Sequence, residues 1–362
     1  MDQGKANSFN NYFATVGTKI QKLLGTKEAE SKSEQNGDFT FKEVNEETII
    51  KLIDRIRIDV AIGNDEINAR LLKDSKHTIA ESLMKLVNLS FTKSVFPDAM
   101  KSAIIKPLHK KGSTEEASNY RPISILPIVS KIFERAATNQ IVMYLEENNK
   151  LNKTQHAYRK KHSTQTCLME ITDYIYRERE KGSIIGIASL DLSKAFDFIN
   201  HSHLLEKLKE MGLNTTSLQW CKSYLENRKQ KTKFQHFISE ESNVTSGVPQ
   251  GSILGPIMFI MFTNDLEKIF NDCKICSYAD DTQIIVSGKN EKEVKAKLEE
   301  QVNSAQKYYT ANSLQNNAGK TETMVIGRKK NAAKMYIEVK EDGKIKKLEP
   351  QKSIKVLGAY FT

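Results

Sequence analysis

Residues 184–190, Ile184-Ile185-Gly186-Ile187-Ala188-Ser189-Leu190, form a short and nearly continuous apolar run that ends on a carboxylate, Asp191. A run of this length predicts a strand covered on both faces, because a half-exposed strand alternates apolar with polar residues. Residues 274–286 have the pattern of a hairpin: Ile275 and Tyr278, a tight acidic turn at Asp280-Asp281, then Ile284, Ile285 and Val286. Carboxylates set this close to apolar strands are costly to leave unpaired. Adjacent like charges also repel more strongly as the dielectric falls. A divalent cation resolves both problems. Mg²⁺ takes oxygen ligands, usually one or two carboxylates together with substrate phosphates. Two such ions can activate an attacking hydroxyl and stabilise a leaving pyrophosphate. An Asp-Asp pair alone is also common in ordinary exposed turns, so the surrounding residues have to decide.

Between the two acidic sites lies Gly247-Val248-Pro249-Gln250-Gly251-Ser252-Ile253-Leu254-Gly255-Pro256, whose glycines and prolines open an apolar helix. Glycine allows a backbone to approach a ligand closely, and a helix N-terminus favours phosphate. A plain turn before a core helix has the same composition.

The rest of the chain supplies the frame. Helical spacing covers residues 7–24, through Phe9, Tyr12, Phe13, Val16, Ile20, Leu23 and Leu24, and a polar stretch at 25–38 reads as a linker. Asn45 is placed to cap a helix with Glu46 and Glu47 in its first turn and Ile49, Ile50, Ile53 and Ile56 as its buried stripe. A second helix is predicted over 78–92 with Ile79, Leu83, Leu86 and Val87 inward, and others over 166–180, 201–211 and 251–270. Strand character begins near Ala103-Ile104-Ile105. Strands and helices without strict alternation indicate an α+β fold.

Composition narrows the partners. The 362 residues carry a net charge of +10, and residues 101–164 alone hold twelve Lys and Arg against five Asp and Glu. A surplus of that kind suits a polyanion, nucleic acid before membrane surface. The longest apolar candidate, Ile257-Met258-Phe259-Ile260-Met261-Phe262, is far below the roughly 18 residues of a membrane span. The N-terminus, Met1-Asp2-Gln3-Gly4-Lys5, lacks the pattern of a secretory signal, and four cysteines are too few for a disulfide scaffold. An intracellular setting, nucleus or cytoplasm, is expected. Cys273-x-x-Cys276 has no second pair to complete a zinc site, and buried strand cysteines are the better reading.

Taken in order, these blocks resemble the reverse transcriptase of non-LTR, LINE-type retrotransposons, closest to the jockey-like and chicken-repeat-like group. The resemblance is carried by Ser189-Leu190-Asp191-Leu192-Ser193-Lys194-Ala195-Phe196-Asp197, by Gly247 to Pro256, and by Tyr278-Ala279-Asp280-Asp281. Around them stand Asn119-Tyr120-Arg121-Pro122-Ile123-Ser124, Asn317-Ala318-Gly319-Lys320-Thr321 and Val356-Leu357-Gly358. The resemblance implies an α+β right-hand polymerase with an antiparallel palm sheet. Residues 1–38 would be a helix and linker, 39–100 a helical extension, 101–165 fingers, 166–327 palm with the remaining fingers elements, and 328–362 the start of a thumb that Thr362 cuts short. Residues 1–38 are too few for an endonuclease.

The resemblance further implies that Asp191, Asp280 and Asp281 bind two Mg²⁺ ions, for which Mn²⁺ can substitute. Phe196 would be a gate against a ribose 2′-hydroxyl, and Gln250 and Gly251 would line the incoming nucleotide. Arg121 would grip the triphosphate, with Lys106, Lys110 and Lys111 adding charge, and Lys320 would protonate the leaving pyrophosphate. Asp197 matches a family aspartate whose role looks structural. The implied partners are an RNA template, a DNA primer and deoxynucleoside triphosphates, with no membrane. Two blocks depart from the family pattern. A usual Pro-Gly-x-Asp reads Ala61-Ile62-Gly63-Asn64-Asp65, and a glycine-flanked aromatic-arginine turn reads Ala157-Tyr158-Arg159-Lys160-Lys161, an expected perturbation of a template-contacting turn. The rival readings are a nucleic-acid-binding fragment that no longer polymerises and an RNA-synthesising or DNA-templated polymerase on the same palm; Phe196 argues against ribonucleotide use.

Overall fold

The computed structural model describes residues 2–24, 37–316, 320–327, 336–341 and 344–362. Most of the stretch read as a linker, 25–36, and three residues of the Lys320 block, 317–319, lie outside the described residues. The strands in chain order are β1 (Ser102–His109), β2 (Tyr120–Ile125), β3 (Ile184–Leu190), β4 (Leu192–Ser193), β5 (Arg228–Phe234), β6 (Phe237–Ile238), β7 (Ser242–Val244) and β8 (Lys274–Tyr278). They continue with β9 (Asp281–Gly288), β10 (Gln315–Asn316), β11 (Glu322–Ile326), β12 (Ile337–Glu341), β13 (Lys344–Leu348), β14 (Ile354–Val356) and β15 (Ala359–Phe361). The mixture is α+β, as the pattern predicts. Contacts divide the chain into two units, Met1–Lys150 with Phe196–Phe262, and Leu151–Ala195 with Thr263–Thr362.

The first unit is built on a sheet of order β2-β1-β5-β6, with β7 also on β5. β1 runs antiparallel to β2, pairing Ile104 with Ile125 and His109 with Tyr120, and parallel to β5. The helix Asp2–Leu24 covers one face: Phe9 and Phe13 pack with Ala103, Ile105, Tyr120 and Leu126. The Asn10 amide, buried in that contact, donates to Glu240 O at 2.8 Å and to Ser242 Oγ at 2.9 Å. Asn45 does cap the helix Glu46–Asp54, accepting from Thr48 N at 2.9 Å.

Two inward stripes differ from expectation. In Glu46–Asp54 the buried residues are Ile49, Leu52 and Ile53; Ile50 is only half covered, as is Ile56, which falls past the helix end. In Lys76–Thr92 they are Ala80, Leu83, Val87, Ser90 and Phe91, and Leu86 is 50% exposed. Leu86 sits about a quarter turn off the line through Ala80, Leu83 and Val87. The aromatic cluster beside it decides which face turns in: Phe91 stacks on Phe41 at 4.5 Å, and Trp220 donates its indole N–H to Ser90 Oγ at 2.8 Å. The helix expected over 251–270 is shorter, Gly255–Phe262, followed by a 3-10 turn at Leu266–Ile269. The polar Thr263-Asn264-Asp265 breaks the apolar repeat there.

The second unit is built on a fully antiparallel sheet of order β11-β3-β9-β8. Its interior explains the continuous apolar run. On one face Cys167, Ile171 and Ile175 of the helix Thr164–Glu180 pack with Ile185, Ile187, Cys276, Ile285 and Met324. On the other, the helix Glu291–Ala311 lies so close that a Cβ on Gly186 would stand 2.7 Å from Val294 Cγ1. Both faces of β3 are therefore covered, and only an apolar strand with a glycine at that crossing fits. No helix among the described residues is long and apolar enough to cross a membrane.

Candidate active site

The second unit gathers the three aspartates by strand register. β3 and β9 pair up to Leu190↔Thr282, so one further step sets Asp191 against Asp281. β8 and β9 close on Tyr278↔Asp281, which leaves Ala279 and Asp280 as a two-residue turn. Ala279 takes φ 56°, a left-handed conformation that an L-residue adopts at a cost. The chain holds it there with one side chain. Gln155 Oε1 accepts from Ala279 N at 2.9 Å, while Gln155 Nε2 donates to Ala279 O at 3.3 Å. The same Oε1 accepts from Ala157 N at 2.9 Å. The backbone beside Gln155 extends the sheet, with His156 N donating to Ser277 O and Ser277 N donating to Thr154 O, both at 2.8 Å.

Asp191 lies where β3 gives way to β4, and β4 is fixed by pairing with β10. Lys320, just before β11, donates from Nζ to Asp191 Oδ2 at 2.5 Å, with the lysine 43% and the aspartate 28% exposed. The structure thus brings Asp191, Asp280, Asp281 and Lys320 to one end of one sheet. All four remain within reach of solvent. Tyr158, 47% exposed, belongs to the same end: burial and then the negative charge of Asp280 push its hydroxyl pKa upward. In the turn whose disturbance is expected, Tyr158 and Lys161 adopt φ 58° and 61° without glycine.

The donor set suits a hard divalent ion. Three carboxylates at neighbouring strand ends offer only oxygen ligands, which is the Mg²⁺ or Mn²⁺ preference. The Lys320 ammonium on Asp191 shows that the site draws positive charge.

The first unit holds the other expected residues. Gly247 takes φ 77°, and a Cβ there would lie 2.7 Å from the carbonyl oxygens of both Phe196 and Asp197. That close approach lets the loop zip onto the segment that follows β3 and β4: Val248 N donates to Phe196 O and Gly247 N to Ile199 O, both at 2.8 Å. Asp197 then orients Gln250, accepting from its Nε2 at 2.9 Å. Gly251, at φ 123°, passes Ser124 of β2 so tightly that a Cβ would stand 2.5 Å from Ser124 O, and Ser124 N donates to Gln250 O at 2.7 Å. Arg121 is exposed on that same strand, as is Lys106 on β1. The Phe196 ring is half buried and lies 5.1 Å from that of Phe259.

Two supporting residues escaped the sequence reading. Gln155 is one; only its place just before the aromatic-arginine block hints at it. Glu134 is the other. It is wholly buried on the helix Ser130–Glu147, and its Oε2 accepts from Ile253 N at 2.7 Å and Leu254 N at 3.1 Å, capping the apolar helix after the glycine loop. Burial raises its pKa, with Arg228 and the two amides pulling the other way. A lone acid on the stripe Ile132, Phe133, Ala136, Ala137 and Ile141 was the available signal.

An antiparallel sheet with paired aspartates on a hairpin turn and a third at the neighbouring strand end defines the palm of right-hand polymerases. The chain belongs to the reverse transcriptase (RNA-dependent DNA polymerase) family, which it matches over residues 108–361. It is 32% identical, over 64% of its length and 26% of the relative's, to a Drosophila melanogaster protein described as a probable RNA-directed DNA polymerase from transposon X-element. It is 28% identical, over 84% of its length and 34% of the relative's, to the RNA-directed DNA polymerase from mobile element jockey of the same species. The chain thus spans about a quarter to a third of the length of these relatives. A solved structure of apo telomerase from Candida tropicalis aligns with TM-score 0.49 and 13% identity over 75% of this chain and 53% of the other. The resemblance to LINE-type reverse transcriptases is borne out. The family works with divalent metal ions, nucleic-acid template and primer, and nucleotides.

Proposed function

We propose that this chain is the polymerase core of a non-LTR retrotransposon reverse transcriptase, adding deoxynucleotides to a DNA primer 3′-hydroxyl on an RNA template. The observation that carries the reading is the meeting of Asp191 with the Asp280-Asp281 turn at one end of the β3–β9 pair. Residues 101–165 serve as fingers, and 166–327 as palm with the remaining fingers elements. Asp191, Asp280 and Asp281 would hold Mg²⁺, for which Mn²⁺ substitutes. When bound, such ions lower the pKa of the primer hydroxyl and neutralise charge on the triphosphate.

The remaining chemistry falls to the side chains. The 3′-oxygen attacks the α-phosphorus in line, and the bond to the bridging oxygen of the β-phosphate breaks. Lys320, whose ammonium already rests on Asp191, supplies a proton to the departing pyrophosphate. Arg121 offers a planar guanidinium suited to bidentate phosphate binding. Gln250 presents an amide fixed by Asp197 to the nucleotide, and Gly251 permits close backbone approach. Phe196, seated against Phe259, excludes a 2′-hydroxyl by its bulk.

Primer extension on an RNA template with Mg²⁺ tests the reading. The wild-type chain should extend the primer, and Asp280→Asn should fall to background while binding the duplex as before. Equal and negligible extension by both, with duplex binding intact, would instead establish a nucleic-acid-binding module.

A further inference from the structure

Beneath the catalytic turn lies a cluster that polymerisation does not use. His156, Cys167 and Cys276 are all buried, and each places a ligand atom within 4.8 Å of the other two. They come from separate stretches: the segment beside β8, the helix Thr164–Glu180, and β8 itself. Among the described residues this is the one group of three His, Cys, Asp or Glu drawn so close.

The imidazole is oriented for ligation. Its Nδ1 lies 2.9 Å from Thr166 Oγ1. The Thr166 hydroxyl donates its own proton to Ser163 O at 2.9 Å, so Oγ1 is left to accept from Nδ1–H. Nε2 then carries the lone pair. That atom is buried, in a residue 1% exposed, and has no hydrogen-bond partner. A carbonyl, carboxylate or hydroxyl on one ring nitrogen, with the other aimed at a metal, is the usual arrangement of a metal-bound histidine. Glu170 lies one turn beyond Cys167, with Oε1 3.5 Å from Nε2 and Oε2 paired with Lys274 Nζ.

We propose that His156, Cys167 and Cys276 form a structural Zn²⁺ site, with Glu170 completing the tetrahedron. Two sulfurs and an imidazole select a borderline-soft ion over the hard ions of the aspartate site. Ligand atoms about 2.0–2.3 Å from a tetrahedral zinc lie roughly 3.3–3.8 Å apart, inside the observed spread. Binding would displace the protons of both thiols, and Lys274 would offset the charge gathered there. The ion would tie the helix to β8 and to the segment whose Gln155 holds the Ala279 turn. The partner of Cys276 is therefore not Cys273, three residues away in sequence, but residues brought in by the fold.

The test is metal content and a Co²⁺ spectrum of the full chain, purified without chelator. About one zinc per chain is expected, and Co²⁺ added to the stripped protein should give a thiolate charge-transfer band. Cys167→Ser and Cys276→Ser should lose both signals while Cys273→Ser keeps them, with circular dichroism showing that each variant is folded. The proposal is overturned if the folded wild-type chain holds no stoichiometric zinc and gives no band, if the band survives in Cys276→Ser, or if Cys167 and Cys276 are recovered as a disulfide.

Discussion

Phe196 is a packing residue to which the proposed function adds a part in sugar selection. Its ring rests on Phe259, in a helix buried at every residue but Pro256. Shortening it removes both the ring contact and the bulk of the side chain. Phe196→Ala should therefore admit ribonucleotides, read as a fall in the ratio of kcat/KM for deoxynucleotide over ribonucleotide; an unchanged ratio removes Phe196 from the gate. Lys161 makes a second, independent prediction. It occupies φ 61°, which costs an L-residue about 1–2 kcal/mol. Glycine relieves that strain but gives back roughly 0.5–1 kcal/mol in chain entropy. Lys161→Gly should raise stability by about 0.5–1 kcal/mol in urea unfolding, and a loss of stability would show that the lysine side chain is itself held.

At the scale of elements, the Ala279-Asp280 turn and the glycine-loop helix each depend on one polar side chain from elsewhere in their own unit. Gln155→Ala leaves the amides of Ala279 and Ala157 without their acceptor, a cost of about 1–3 kcal/mol for a group that stays buried. If Gln155 acts only by positioning the turn, kcat should fall with little change in KM. Gln155→Glu, which keeps the acceptor but loses the donor to Ala279 O, should recover part of it. A rise in KM alone would contradict positioning. Glu134 carries a pH signature. Its carboxyl is raised by burial, so the stability it contributes is full below the ordinary glutamate value and is lost as pH rises through the folded value. Glu134→Gln should flatten the stability–pH curve over that window, and Glu134→Ala should cost more by orphaning the Ile253 and Leu254 amides. These contrasts mark what could be read from the chain. Strand β3 and the acidic hairpin were legible because burial on both faces and a tight turn leave local signatures. Leu86 was misplaced because a neighbouring aromatic cluster, not the helix's own spacing, chose its face. Gln155, Glu134 and the His156–Cys167–Cys276 cluster were hidden because their partners are set by register between distant segments.

Across the whole molecule the chain leaves its first unit after Lys150 and returns at Phe196. The aspartates and Lys320 therefore fall in one unit and Phe196, Gln250 and Arg121 in the other, though Asp191 and Phe196 are five residues apart in sequence. Charge is divided unevenly as well. Residues 101–164 carry a surplus of +7 out of the chain's +10, and Lys106, Lys110, Lys111 and Arg121 from that segment are exposed. A basic surface gains affinity for a duplex by releasing counterions, so binding weakens with salt by about 0.9 log units per decade for each phosphate neutralised. If the exposed cations of β1 and β2 also reach duplex phosphates, beyond the triphosphate contact proposed for Arg121, Lys106→Ala and Arg121→Ala should each weaken binding of a template–primer duplex and lower the slope of log K against log salt by about 1. Asp280→Asn should leave that slope unchanged, because the proposed function gives its carboxylate a part in the chemistry and none in the grip. Fluorescence anisotropy across a salt series separates the two roles. A slope indifferent to both cation variants would move the nucleic-acid path away from this strand pair, while the aspartate end of the palm sheet would still be tested by extension alone.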